Sequence, residues 1–226
     1  MQGVWEAINM TPKFNNLYNN VLPSKNNLVV VFPGRFQPFH AGHKKIYALA
    51  KQAFPAADFF VATSDVPAKM DDATKYPFNF AEKKAIMLAA GVPEKEIVMT
   101  KQPYKPVEIL KNYDSTFTKV IYLVGKKDME ADARFTFGVT KSGKPTYFQP
   151  YKDLQSMKPF DEKTGHGYVF APSTVEFTIG GNVIKSGTEL RNMYKSANDE
   201  QKKNIITQIL GKFSDKIYKL FNNKIK

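Results

Sequence analysis

Cysteine is absent from the 226 residues, which excludes a disulfide framework and any thiolate nucleophile or metal ligand. No stretch approaches the roughly 20 apolar residues that a membrane-spanning helix requires. The first 27 residues lack a basic-then-apolar leader pattern, so the expectation is a cytoplasmic protein with no membrane association. Acidic residues are outnumbered 21 to 33 by basic ones, leaving a net charge of +12. Lys, Asn, Ile, Phe and Tyr are abundant together, as in an A+T-rich coding sequence. The charge therefore reads first as a solvated lysine surface, and nucleic-acid binding does not follow from it. Arginine is scarce: Arg35, Arg134 and Arg191 are the only three, and the other 30 basic residues are lysine. Lysine is a compact point charge, whereas arginine offers a planar fork suited to phosphate oxygens. In such a background the three arginines mark positions where lysine would serve poorly.

What is present is enough for one good-sized domain, at 42% hydrophobic and 13% aromatic residues. Residues 1–27 read as an extension with a short helix around Val4–Asn9. A β-branched run, Leu28–Phe32, predicts a buried strand, and Lys44–Phe54 a helix ended by Pro55. Further strands are expected at Asp58–Thr63, Glu96–Thr100 and Val120–Val124, alternating with helices at Phe78–Ala90 and Val107–Tyr113. Such alternation implies βαβ units and a parallel, Rossmann-like α/β sheet flanked by helices. Across 136–165 the pattern dissolves into an irregular or hairpin insertion, long enough to suggest a substrate lid or an assembly contact. Strand character resumes at Gly167–Ala171 and Glu176–Ile179; helices follow at Ser186–Tyr194, Asn204–Leu210 and Lys216–Phe221. The expected organisation is an extension over 1–27, a main domain over 28–197 and a C-terminal helical tail over 198–226.

Two of the three histidines, His40 and His43, stand between the first strand and its helix in Pro33-Gly-Arg-Phe-Gln-Pro-Phe-His-Ala-Gly-His43. Ligands of open α/β sheets bind at the carboxyl ends of the strands, and a helix N-terminus there favours anions. Gly34 would admit a phosphate close to the backbone, and two imidazoles could donate to phosphate oxygens as charge builds. Two other accounts stay open: metal ligands completed by His166 or a carboxylate, and ordinary cap or surface residues. Late in the chain, Ser186-Gly-Thr-Glu-Leu-Arg191 places an N-cap hydroxyl, Thr188 and Glu189 in a first helical turn, with Arg191 a turn further on. That set would cradle β- and γ-phosphates. From these six residues alone, a plain capped helix is the better account.

Gly34-Arg-Phe-Gln-Pro-Phe-His-Ala-Gly-His43 resembles the signature of HIGH-motif nucleotidyltransferases, nearest to archaeal-type nicotinamide mononucleotide adenylyltransferases and their phage-encoded relatives. Ser186-Gly-Thr-Glu-Leu-Arg191 is similar to the superfamily's Ser-x-Thr-x-x-Arg element. Leu123-Val-Gly-Lys-Lys-Asp128 looks like its strand-end segment near adenine and ribose. Tyr76-Pro-Phe-Asn-Phe-Ala-Glu-Lys83 resembles its Asn-Pro-Phe segment, with Tyr76 where Asn is usual; a helix-start staple accounts for it as well. The resemblance runs from about Leu28 to Tyr194. It implies that His40, His43, Arg35 and Arg191 act on the phosphates, and that Gly34, Phe36, Gln37, Gly42, Gly125, Lys126, Asp128, Arg134, Ser186, Gly187 and Thr188 bind nucleotide. No metal ligand is assigned; Mg2+ would be carried mainly by the nucleotide phosphates.

The implied reaction is attack of an acceptor phosphate oxygen on the α-phosphorus of ATP, with release of pyrophosphate. The nucleophile is already an anion, so positioning and charge neutralisation replace a general base. Nicotinamide mononucleotide is the first expectation for the acceptor; pantetheine phosphate and flavin mononucleotide are others. The runner-up reaction is cytidylyl transfer from CTP to a sugar or polyol phosphate. A different class is a basic nucleic-acid- or virion-associated protein with a vestigial nucleotide site. A phage-encoded member would work in the host cytoplasm.

Overall fold

The computed structural model describes residues 27–65, 75–126, 129, 135, 137–161, 166–172 and 176–226. The proposed Val4–Asn9 helix, with Asp128 and Arg134, lies outside them. Strand β1, Leu28–Pro33, is buried at every position. Its alternate residues serve two cores: Leu28, Val30 and Phe32 face one side of the sheet, Val29 and Val31 the other. A strand covered on both faces has no polar register, which is why its sequence is an unbroken apolar run. Each such side chain removed from water contributes about 1.5–3 kcal/mol.

The remaining strands of the main sheet are β2 (Asp58–Thr63), β3 (Ile97–Met99), β4 (Lys119–Leu123), β5 (Phe148–Pro150) and β6 (Gly167–Phe170). Their spatial order is β3-β2-β1-β4-β6-β5, and every pairing is parallel. The chain winds outward from β1 through β2 to β3, then crosses to β4 on β1's other side. The topological switch point is therefore the pair of carboxyl ends of β1 and β4, the place where such sheets open a ligand crevice. This is the Rossmann-like α/β fold expected from the alternation of strands and helices.

Helix α1 (Ala41–Ala53) follows β1 and α2 (Phe80–Ala89) follows β2; a short helix, α3 (Val107–Leu110), precedes β4. A capping box starts α2: the Asn79 side chain accepts from Glu82 N–H at 3.0 Å, and Glu82 accepts from Asn79 N–H at 2.9 Å. Beyond β6 come a small antiparallel pair, β7 (Thr178–Ile179) and β8 (Asn182–Val183), and helices α4 (Gly187–Ser196), α5 (Asp199–Leu210) and α6 (Asp215–Lys224). The last two are no loose appendage. Ile205, Ile206, Ile209, Ile217 and Phe221 are buried in the same core cluster as Leu28, Val30, Tyr47 and Ile86.

Three expectations need correction. The 136–165 stretch is irregular for most of its length, with one isolated antiparallel bridge between Val139 and Pro145, but Phe148–Pro150 is a parallel edge strand. Three half-buried residues ending in proline carry no readable alternation. The strand expected at Glu176–Ile179 shortens to two residues and pairs with Asn182–Val183 outside the main sheet. The Gly180-Gly181 turn, with φ of 55° and 82°, closes a tight hairpin there instead. Finally, α1 begins at Ala41 rather than Lys44, because His40 is its N-cap.

Candidate active site

The β1–α1 loop is built around one left-handed residue. Phe36 has φ of 45°, a region costly to a bulky side chain, and its ring is buried at 4% exposure. The ring folds back over Gly34: a Cβ there would lie 2.6 Å from Phe36 Cζ. Gly34 is thus required by Phe36, and the space expected for a phosphate at its bare face is filled by that ring.

Gln37, expected at the nucleotide, spends its side chain on the protein. Its Nε2 donates to Phe78 O at 2.7 Å and its Oε1 accepts from Phe78 N–H at 3.0 Å. Its main-chain carbonyl accepts from Arg191 Nη1. One residue thereby joins the first motif to the segment before α2 and to the last motif, 41 and 154 residues away. Arg191 is buried at 7% exposure, and its Nη2 also donates to Thr188 Oγ1 at 3.1 Å. Gly187 sits against the same carbonyl, where a Cβ would come within 2.7 Å of Gln37 O. Ser186 caps α4 by accepting from Glu189 N–H at 3.2 Å. Two motifs at opposite ends of the sequence meet in one small volume at the carboxyl edge of β1.

His40 and His43 lie ring against ring, with centroids 3.8 Å apart. His43 packs edge-on to Phe36 at 5.1 Å and stacks on Phe39 at 5.4 Å; His40 stacks on Phe177 at 4.9 Å. Burial among rings disfavours the charged imidazole, bringing His40 down to about 4. His43 falls well below its ordinary value, first through burial and then through the neighbouring His40. Both are therefore neutral at neutral pH. His43 Nδ1 accepts from the His40 main-chain N–H at 3.3 Å, which leaves the proton on Nε2 as a donor for a ligand. Gly42 makes room for this: a Cβ there would stand 3.0 Å from His40 Cε1.

Arg35 is exposed beside the loop, donating from Nη1 to Tyr76 OH at 2.5 Å with its guanidinium 5.5 Å above the Tyr76 ring. Tyr76 thus has a partner that an Asn, the residue expected there from the resemblance, would not hold by stacking. Gly125 and Lys126 follow β4, on the other side of the switch point from His40. His166 precedes β6, at the amino edge of the sheet, opposite His40 and His43. It is no third ligand to them, and no cluster of three His, Asp or Glu residues suited to a metal occurs among the described residues.

Two residues of the site escaped sequence reasoning. Lys83 is 1% exposed, and its ammonium donates to Thr63 Oγ1 at 2.9 Å, Arg35 O at 3.4 Å and Ser64 O. It ties the end of β2 to the β1–α1 loop, and burial lowers it to about 8. The readable signal was its place on the buried stripe of α2 with Ile86 and Met87. Phe177 left no signal in the sequence, being one aromatic before a glycine turn.

Two neutral imidazoles and a helix start tied to their loop through Arg191 thus lie at the switch point of a parallel sheet. The chain belongs to the cytidylyltransferase-like family, whose profile matches residues 31–162, from β1 past β5 and short of Ser186. It is 31% identical over 106 residues to a probable nicotinate-nucleotide adenylyltransferase of Thermosipho melanesiensis, across 46% of this chain and 53% of that protein. The chain thus matches about half the length of that relative. Two crystal structures of a bifunctional NMN adenylyltransferase/ADP ribose pyrophosphatase from Francisella tularensis, one of them complexed with AMP and a Mn ion, align with TM-scores of 0.44 and 0.42. These alignments cover 88% of this chain and 49% and 48% of theirs, at 16% and 17% identity.

Proposed function

We propose that the protein transfers AMP from ATP to the phosphate of a pyridine mononucleotide, nicotinamide or nicotinate, and releases pyrophosphate. The single observation that carries this reading is the contact of Gly187 and Arg191 with the Gln37 carbonyl, which brings the start of α4 to the loop whose next residues are the paired rings of His40 and His43. The name of the Thermosipho relative supports the pyridine acceptor and adds nicotinate mononucleotide to the nicotinamide form expected from the first motif.

In this mechanism the acceptor phosphate oxygen attacks the α-phosphorus in line. His43 donates its Nε2 proton to a phosphate oxygen, and His40 borders the same oxygens. Arg35, held over Tyr76, swings to the leaving pyrophosphate. Thr188 and the main-chain N–H groups at the start of α4 receive the distal phosphates, with Ser186 holding that turn in shape. Arg191 holds the two motifs together and contributes positive charge beneath them; Gln37, Gly34, Phe36 and Gly42 shape the loop without touching the ligand. Gly125 and Lys126 border the nucleoside side, with Asp128 and Arg134 assigned there on resemblance alone. Among the described residues the site offers imidazoles and hydroxyls rather than clustered carboxylates, which fits a magnesium ion held by the triphosphate and its own waters, where it would neutralise phosphate charge.

A pyrophosphate-release panel crossing ATP and CTP with nicotinamide mononucleotide, nicotinate mononucleotide, pantetheine phosphate, flavin mononucleotide and a polyol phosphate tests the reading. Release with ATP and a pyridine mononucleotide alone is the expected result. Release only with CTP and a polyol phosphate would replace it with the cytidylyl reaction. No release in any well, with a salt-dependent shift of DNA, would favour the nucleic-acid-associated class.

A further inference from the structure

We propose that Phe177 is a positioning residue of this site, its ring fixing the orientation of the His40 imidazole by stacking where a hydrogen bond would ordinarily do so; this rests on the reading of His40 as a phosphate-contacting residue. Imidazoles that serve a ligand through one ring nitrogen are usually oriented by a hydrogen bond to the other. His40 has only a loose one: the His43 main-chain N–H approaches its side chain in a capping box, yet the buried Nδ1 reaches no full hydrogen bond. The ring is held by faces instead. His43 lies 3.8 Å from one side, and Phe177 lies 4.9 Å away, tilted by only 7°. Gly42 contributes the missing bulk, since a Cβ there would meet both His40 and, at 3.2 Å, Phe177 Cβ.

Phe177 is itself anchored. It is 7% exposed, and its carbonyl accepts from Ile184 N–H at 2.7 Å across the β7–β8 hairpin. The hairpin's turn is tied to α5, where Gln208 Oε1 accepts from Gly180 N–H at 3.3 Å. The C-terminal helices, outside the stretch that resembles the family, thereby reach the catalytic edge through one aromatic ring. Stacking also differs from a carboxylate orienter in sign: it fixes the ring without adding charge that would favour the imidazolium. The ionisable group seen to pack on His40 is His43; the other rings around the pair are Phe32, Phe36, Phe39 and Phe177.

With three histidines, the chain suits titration by NMR of the imidazole C2 protons, assigned with H166Q and H40Q. In the wild-type protein His40 titrates near 4, as its burial dictates. In F177A, one face open to water, its midpoint rises by about one to two units. Turnover of F177A falls about tenfold or more while KM for ATP changes less than about threefold, as misorientation rather than lost binding requires. F177Y restores both. F177L, which keeps apolar volume without a ring, serves if F177A fails to fold, and behaves like F177A. An unmoved His40 midpoint with unaltered turnover in folded F177A or F177L overturns the proposal. A wild-type protein that releases no pyrophosphate with any donor, yet shows the midpoint rise in F177A, would sink the proposed reaction and leave the stack standing.

Discussion

The two edges of the parallel sheet differ in what they hold. At the amino edge, Thr116, Lys158, Pro159 and Asp161 line an open hollow of about 310 Å³, and His166 stands nearby at the start of β6. At the carboxyl edge the loops are packed tightly, and what converges there is chemistry: two neutral imidazoles, Arg35, Arg191, Lys83 and the start of α4. A hollow thus opens at the edge with fewer converging groups. The fold explains the split, because only at the carboxyl edge does the reversal in strand order splay the loops of β1 and β4 apart.

The sharpest way to break this comparison is to remove an imidazole at each edge. His43→Ala should lower kcat by about 10²–10³, the usual cost of one preorganised donor, while His166→Gln stays within about twofold in the same pyrophosphate-release assay. Equal losses would mean that the edges are not functionally distinct. Acidity gives the next effect. Between pH 6.5 and 4 the unfolded chain takes up a proton that folded His40 refuses, so stability is full above about 6.5 and is lost as pH falls. The loss amounts to on the order of 3 kcal/mol for His40 by pH 4, read as a drop in urea midpoint that H40Q flattens.

Gly187→Ala would wedge a methyl group against the Gln37 carbonyl, 2.7 Å away, and separate the two motifs. Turnover should fall about 10- to 100-fold with Tm lowered by a few degrees, on the order of what a misplacement of about 1 Å costs. Gln37→Leu, which removes both bonds to Phe78, should cost about 1–3 kcal/mol in chemical denaturation, because the Phe78 N–H and C=O are left buried without partners. Smallest of all, Lys158→Ala or Asp161→Ala should change turnover by less than about twofold, whatever the size of the hollow they line.

The alternation of apolar runs and helical spacing made the sheet legible, because strands buried on both faces announce themselves as continuous Val, Ile and Leu. Leu28–Phe32 and Asp58–Thr63 were readable to within a residue. Phe148–Pro150 was not, since an edge strand of three residues owes its existence to the register of β6 rather than to its own pattern. Both candidate motifs were readable for a local reason: their histidines, hydroxyls and glycines are packed into ten and six consecutive residues. Gln37 was readable as a motif residue but not in its job, because Phe78 and Arg191 lie 41 and 154 residues away. Phe177 and Lys83 depend on tertiary proximity in the same way. The packing of the C-terminal helices was not readable for a related reason. The isoleucines spaced along α5 do not say which surface they cover; they fill the core beneath α1.

The bond between Arg191 and residue 37 ends on a main-chain oxygen, and that has an evolutionary side. Every amino acid offers that oxygen, so no exchange at position 37 can delete the acceptor; the tether is encoded entirely at the other end. Drift at 37 is constrained through Phe78 alone, while position 191 must keep a long, forked donor. Among natural variants of this chain, the two partners of a single contact should therefore diverge at different rates.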